Sequence, residues 1–192
     1  MVDLITVQEF KDYKRISSTT YDTQLSILIP QASSFIKTYC GNSFNEYTST
    51  DKVEWFNGRG NTTYFVQEWP LVSVTTLEIS TDGGTTVEAL TEGTDFYVNL
   101  EDDCIVSASS SFSPYGPAVN SAKLTYIAGY TTLPPDLQLA AIELVDHYRQ
   151  EDFTPKKSLS GTSTDNSGPT QYGFANMLPK HIKRVLDLYR RL

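Results

Sequence analysis

Cysteine is nearly missing from this chain. Cys40 and Cys104 are the only two in 192 residues, far apart and in no metal-ligand or redox spacing. They read as small buried or half-buried thiols. Histidine is equally scarce. His147 and His181 have no partner at ligand spacing, which favours structural or solvent-facing positions. The nucleophile elbow G-x-S-x-G and the zinc motif H-E-x-x-H are absent, and Gly58-Arg59-Gly60 lacks the third glycine of a dinucleotide loop. Glu101-Asp102-Asp103 lacks the alternation of a calcium loop and reads as a solvated turn. The chain is therefore expected to have no catalytic, cofactor or metal site and not to be an enzyme. No apolar run approaches the roughly 20 residues of a membrane span. The first residues have no basic region and Asp3 interrupts them, so no signal peptide is expected, and the setting is cytosol-like.

Basic residues are also few, 15 Lys and Arg against 23 Asp and Glu. Five of them (Lys180, Lys183, Arg184, Arg190, Arg191) lie in residues 180–192 beside a single acid, Asp187. The preceding 179 residues hold 10 basic and 22 acidic side chains, a net charge of −12. A conventional duplex binder carries a broad basic face, which this body lacks. An acidic body with a basic end suits a tail that docks on an acidic partner, or a wall that DNA slides past. Ordinary solubility accounts for the acidic body equally well.

What is present is a clear change of period along the chain. Thr6-Val7-Gln8-Glu9 is a capping-box pattern opening a helix over 7–13, with Val7, Phe10 and Tyr13 as candidate inward residues. A second helix over 22–39 puts Leu25, Leu28, Ile29, Ala32, Phe35 or Ile36, and Tyr39 on one stripe. Pro30 predicts a kink or break within it, and Gly41 suits the position after its end. From about residue 51 to 128 the period is two. Some seven strands are expected, forming an antiparallel sheet or small sandwich, with hairpin turns at 57–61, 81–84 and 101–103. The tips 57–61 and 101–103 are expected to face a partner or channel without supporting the core.

The clustered aromatics Trp55, Phe56, Tyr64, Phe65 and Trp69 suit core packing, a subunit interface or a sugar-stacking face. The last of these makes a β-rich carbohydrate-binding module the alternative reading.

The stretch 123–150 organises the rest. A strand over 123–128 ends at Gly129, Pro134-Pro135 forbid further ladder, and a helix over 136–150 follows. Leu137, Ala140, Ala141, Leu144, Val145 and Tyr148 form its buried face. Residues 152–176 have the Ser/Thr/Gly/Pro composition of a flexible linker, with a reach of roughly 25–30 Å. Residues 177–192 then read as a helix with Ile182, Val185, Leu186 and Tyr189 along one side, flanked by Lys180, Lys183 and Arg191. Such a short helix is marginal alone, so the stripe needs a groove. Its own body could supply that groove, but the long tether and the reversal of charge sign at its end favour a separate partner, so the stripe is expected to dock outside its own body.

Several of these segments together carry a family resemblance. The Y-x-A-G-Y strand end at 126–130, the P-x-D-L start of the following alanine-rich helix, D-x-x-L-x-x-L-I at 22–29, Tyr39-Cys40-Gly41, E-x-F-x-G-x-G at 54–60, W-P-L-V-S-V at 69–74 and the L-P-x-x-I-x-x-V-L-x-x-Y-R helix at 178–190 occur in this order. The chain thereby resembles the head–tail connector (adaptor, or head-completion) proteins of tailed bacteriophages over most of its length. The resemblance implies an α+β fold: a helical bundle of two N-terminal helices, one central and one C-terminal helix, here with a large antiparallel β insertion. It implies a connector body over 1–150, the linker over 152–176 and a docking helix over 177–192. It also implies a structural virion protein that forms a ring, commonly of twelve copies, under the portal and extends the DNA channel without sequence-specific binding. The implied partners are the portal protein, neighbouring copies and a head-closure or tail protein, with no membrane. Ile182, Lys183, Arg184, Val185, Leu186, Tyr189, Arg190 and Arg191 are the implied portal- or subunit-binding residues.

Overall fold

The computed structural model describes residues 2–58, 60–80, 82–109, 112, 120–153 and 178–191. The expected linker over 152–176 lies almost wholly outside the described residues, as does most of the loop before the last strand. The chain divides into two compact units, a β unit of residues 41–133 with the first two residues, and a helical unit of residues 3–40 and 134–192.

The helical unit begins with α1 (Val7–Lys14). Its capping box forms as expected: Thr6 Oγ1 accepts from the Glu9 amide at 3.2 Å, and Glu9 Oε2 accepts from the Thr6 amide at 2.6 Å. Phe10 is buried, whereas Tyr13 is exposed. The second inward position goes to Lys11, whose ammonium reaches Asp22 at 2.9 Å. α2 (Asp22–Cys40) runs through Pro30 without a break, with the proline ring at an exposed position. Ile36 is fully buried and Phe35 is exposed, which resolves the alternative at that turn.

α3 (Pro135–Phe153) buries Leu137, Ala140, Ala141, Leu144 and Val145 as its period requires. Tyr148 is only half-buried, and Ile142 and Asp146 are buried as well. Asp146 is satisfied by Lys14 at 2.8 Å, Arg149 at 2.9 Å and Gln150 at 2.7 Å. Burial alone would raise its carboxyl, but Lys14 and Arg149 outweigh that and hold it below the usual range. α4 (Lys180–Leu188) completes the unit against α2 and α3.

The β unit contains the expected seven strands: β1 (Lys52–Phe56), β2 (Thr63–Phe65), β3 (Leu71–Ile79), β4 (Glu88–Leu90), β5 (Phe96–Asn99), β6 (Cys104–Ser107) and β7 (Ala122–Ala128). They form two antiparallel sheets, ordered β1-β7-β3-β4 and β2-β6-β5. β7 is central to the larger sheet and alternates cleanly, with Ala122, Leu124, Tyr126 and Ala128 inward. These residues share one core with Phe96 and Ile105 of the smaller sheet. α+β is therefore the observed class, with the β insertion between α2 and α3.

One expected hairpin is corrected. β3–β4 and β5–β6 pair as hairpins, but β1 and β2 belong to different sheets, so 57–61 is a crossover. It is tied down accordingly. Gly58 is buried and its amide donates to Ser121 Oγ at 2.7 Å, while Asn57 Oδ1 accepts from the Asn120 amide at 2.8 Å.

Candidate interaction surface

Each sequence-predicted site residue is placed on or just after α4. Ile182 and Leu186 are buried at 1% and 0% exposure by α2 and α3 of the same unit, which corrects the expectation of a stripe held open for a separate partner. The physical reason is polar as well as apolar. Tyr39 on α2 donates to Asp187 at 2.6 Å, and Tyr189 donates to Asp136 at the start of α3 at 2.6 Å. His181 meets Glu143 of α3 at 3.0 Å, and the Arg190 guanidinium lies 5.7 Å from the centre of the Tyr39 ring. Val185 and Tyr189 are half-buried at the margin. Lys183, Arg184, Arg190 and Arg191 remain exposed. The helix is also shorter than expected: it stops at Leu188, where the Tyr189 amide bonds back to the Leu186 carbonyl, so the last two arginines lie beyond it.

Both cysteines are buried, as expected from their type. Burial pushes the Cys40 thiol up to about 12, so it stays protonated and unreactive; its Sγ lies 3.6 Å from the Leu186 carbonyl. Among the described residues no group of three His, Cys, Asp or Glu is arranged to hold a metal ion, and no helix is long and apolar enough to cross a membrane.

The aromatics separate into two kinds. Phe56 stacks on Tyr64 at 3.7 Å and meets Phe112 edge-on, all at the core of the β unit. Trp55 and Phe65 are exposed on different sheets, so these two rings do not form one row for sugar stacking.

Sequence reasoning missed a buried polar cluster beneath them. Glu54 is 4% exposed and accepts from Tyr126 Oη, from Tyr64 Oη at 3.1 Å and from the Gln67 amide at 3.2 Å. Desolvation raises its carboxyl despite these donors. Alternation within β1 was the available signal, because Glu54 shares a face with Phe56. The turn at 101–103 also divides. Glu101 and Asp102 are exposed, but Asp103 Oδ1 accepts from the Leu71 amide at 2.6 Å, its carbonyl accepts from the Val66 amide at 3.1 Å, and its φ is +50°. Asp103 is therefore structural, against the expectation for the whole tip.

Charge follows the unit boundary. Residues 41–133 hold 12 acidic and 3 basic side chains, and the rest of the chain 11 and 12.

Set beside known proteins, the sequence matches the head completion protein family over residues 3–192. The chain belongs to that family. The head completion protein of Escherichia phage T5 is 37% identical over 65 residues, a match spanning 33% of this chain and 35% of the T5 protein. A chain from the neck of an empty GTA particle, computed with C6 symmetry, superposes with a TM-score of 0.63 at 16% identity, covering 98% of this chain and 90% of that one. A chain from the neck of a native GTA particle, computed with C12 symmetry, gives 0.57 at 15% identity, covering 100% and 94%. A chain of the native gene transfer agent virion gives 0.60 at 13% identity, covering 100% and 95%. These likenesses establish a shared fold.

Proposed function

We propose that this family member forms a ring of twelve copies under the portal, extends the channel through which DNA passes without sequence-specific binding, and links the capsid to the neck or tail. It is made in the host cytoplasm, ends at the capsid–tail junction of the virion and acts without catalysis or cofactor. Its partners are the portal protein, neighbouring copies and a head-closure or tail protein. Residues 152–176 tether α4, whose exposed Lys183 and Arg184, with Arg190 and Arg191 just beyond, bind the portal or a neighbouring copy.

The observation that carries this reading is the family match over 3–192. The fold shared with a neck chain from a particle computed with C12 symmetry supports the ring. The acidic β unit suits a wall from which a polyanion is repelled and past which it slides. The test is to purify virions and quantify this chain against the portal protein by mass spectrometry. Matching copy numbers are expected; absence from virions, or a number unrelated to that of the portal, would overturn the reading.

A further inference from the structure

The three-stranded sheet has one face on which exposed apolar side chains surround the buried Cys104. Its register sets Thr63, Val106 and Tyr97 side by side, with Phe65 two residues along on the same face. Phe65 is 59% exposed and Tyr97 54%, and Leu100, where the chain leaves β5, is 53% exposed. One exposed apolar side chain needs no explanation, whereas three around one small sheet mark a contact surface. The chain then turns through Glu101 and Asp102, both exposed. Asn99 fixes that turn: its Nδ2 donates to Asp102 Oδ2 at 2.8 Å, and its Oδ1 accepts from the Glu101 and Asp102 amides. The Asp102 carboxylate is thus held, and the exposed Glu101 carried, beside Leu100 in the unit with the acidic excess.

α4 has an outward side of the opposite character. With Ile182 and Leu186 turned inward, Lys180, Arg184 and Leu188 follow one another at i, i+4 and i+8 on the other side. Leu188 is 78% exposed, and among the described residues neither Lys180 nor Arg184 forms an ion pair.

We infer that these surfaces are the two halves of one contact between copies, in which Lys180, Arg184 and Leu188 of one copy seat on Phe65, Tyr97 and the Glu101–Asp102 turn of the next. The inference rests on the ring reading above, since a head-to-tail contact uses two different patches on each copy and closes into a ring. Pairing sheet face with sheet face would set carboxylates against carboxylates. Pairing it with α4 sets cations against them and leucine against aromatic rings. The apolar residues supply the buried centre, and the charges supply steering and specificity at the rim.

The test is a charge-exchange experiment with the full chain on portal-bearing heads, counting bound copies per head. One variant carries Glu101→Lys and Asp102→Lys, and the other Lys180→Glu and Arg184→Glu. All four positions are exposed, and a thermal melt of each variant confirms an intact fold. Each variant alone is expected to bind about tenfold less well than the unaltered chain, as reversed rim charges dictate. An equal mixture is expected to recover full occupancy, because every junction in an alternating ring is again complementary. Leu188→Ser weakens assembly without changing charge. If only the α4 variant loses binding and the mixture recovers nothing, α4 docks on the portal and the inference is wrong. Full occupancy by both single variants would also overturn it while leaving the ring reading intact. Failure of the unaltered chain to join heads would remove both.

Discussion

At Gly129 the backbone leaves the central strand of the larger sheet with φ +107°, a conformation that favours glycine. Its amide donates to the Pro70 carbonyl at 2.8 Å, and the Tyr130 amide donates to the Phe44 carbonyl at 2.6 Å. A Cβ at 129 would collide with that Phe44 carbonyl oxygen. Gly129→Ala is expected to cost at least about 2 kcal/mol, from backbone strain together with the collision; an unchanged melting temperature would show that the loop around Phe44 yields freely. This glycine was legible as a break after a strand. Glu54 was not read so, because an acid in a strand is ordinarily taken as solvent-facing. Its raised carboxyl has a definite sign. A folded-state value above the ordinary glutamate value of 4.5 means that folding favours the protonated form. The stability it contributes is complete below that value and is lost as pH rises through the raised one. Glu54→Gln removes the titration while preserving an acceptor for Tyr126. Unfolding in urea from about pH 4 to about pH 8 should show the unaltered protein losing stability relative to the variant as pH rises. A difference constant across that range would show that burial leaves Glu54 unshifted.

Among the elements, the helices were readable because their information is local. The Thr6–Glu9 box, Gly41 with φ +70° after α2 and the apolar face of α3 each lie within a few turns of chain. Sheet assignment was not readable to the same depth. That β1 joins β7 while β2 joins β6 depends on partners some 40–70 residues away, which no local period records. The same limit applies to α4: its stripe was evident, but amphipathicity alone does not say whose groove covers it. Because α2 and α3 cover Ile182 and Leu186, Leu186→Ala is expected to destabilise the helical unit by about 2–5 kcal/mol. Deleting 178–192 should expose apolar faces of α2 and α3 and lower the melting temperature sharply; a deletion variant melting like the full chain would show that α4 adds nothing to the unit. The β5–β6 turn offers a contrast within three residues. Glu101→Ser with Asp102→Ser should leave the melting temperature nearly unchanged, since both are exposed. Asp103→Ser should cost about 1–3 kcal/mol, because it strands the Leu71 amide. Equal effects from the two substitutions would contradict that division.

Over the whole molecule, the decisive quantity is where the charge sits. The net charge of −8 arises almost entirely in the β unit, with 12 acids and 3 bases, while the remainder is nearly balanced. Copies approaching in arbitrary orientations therefore meet mainly as like charges, whereas a head-to-tail orientation sets the α4 cations against an acidic surface. Rim contacts of this kind are individually weak at physiological ionic strength, where the screening length is about 8 Å. Closing a ring also orders every copy at once, a cost that a few exposed pairs and one small apolar patch do not meet alone. A symmetric template changes that balance, because holding neighbouring copies in register raises their effective concentration towards the millimolar range. The isolated protein is accordingly expected to be a monomer or a loose oligomer that becomes a closed ring only on the portal. Light scattering at micromolar concentration and physiological salt should return a mass near that of one chain, 21.5 kDa, or a concentration-dependent average above it. A stable twelve-mer under those conditions would show that the contacts between copies suffice without a template.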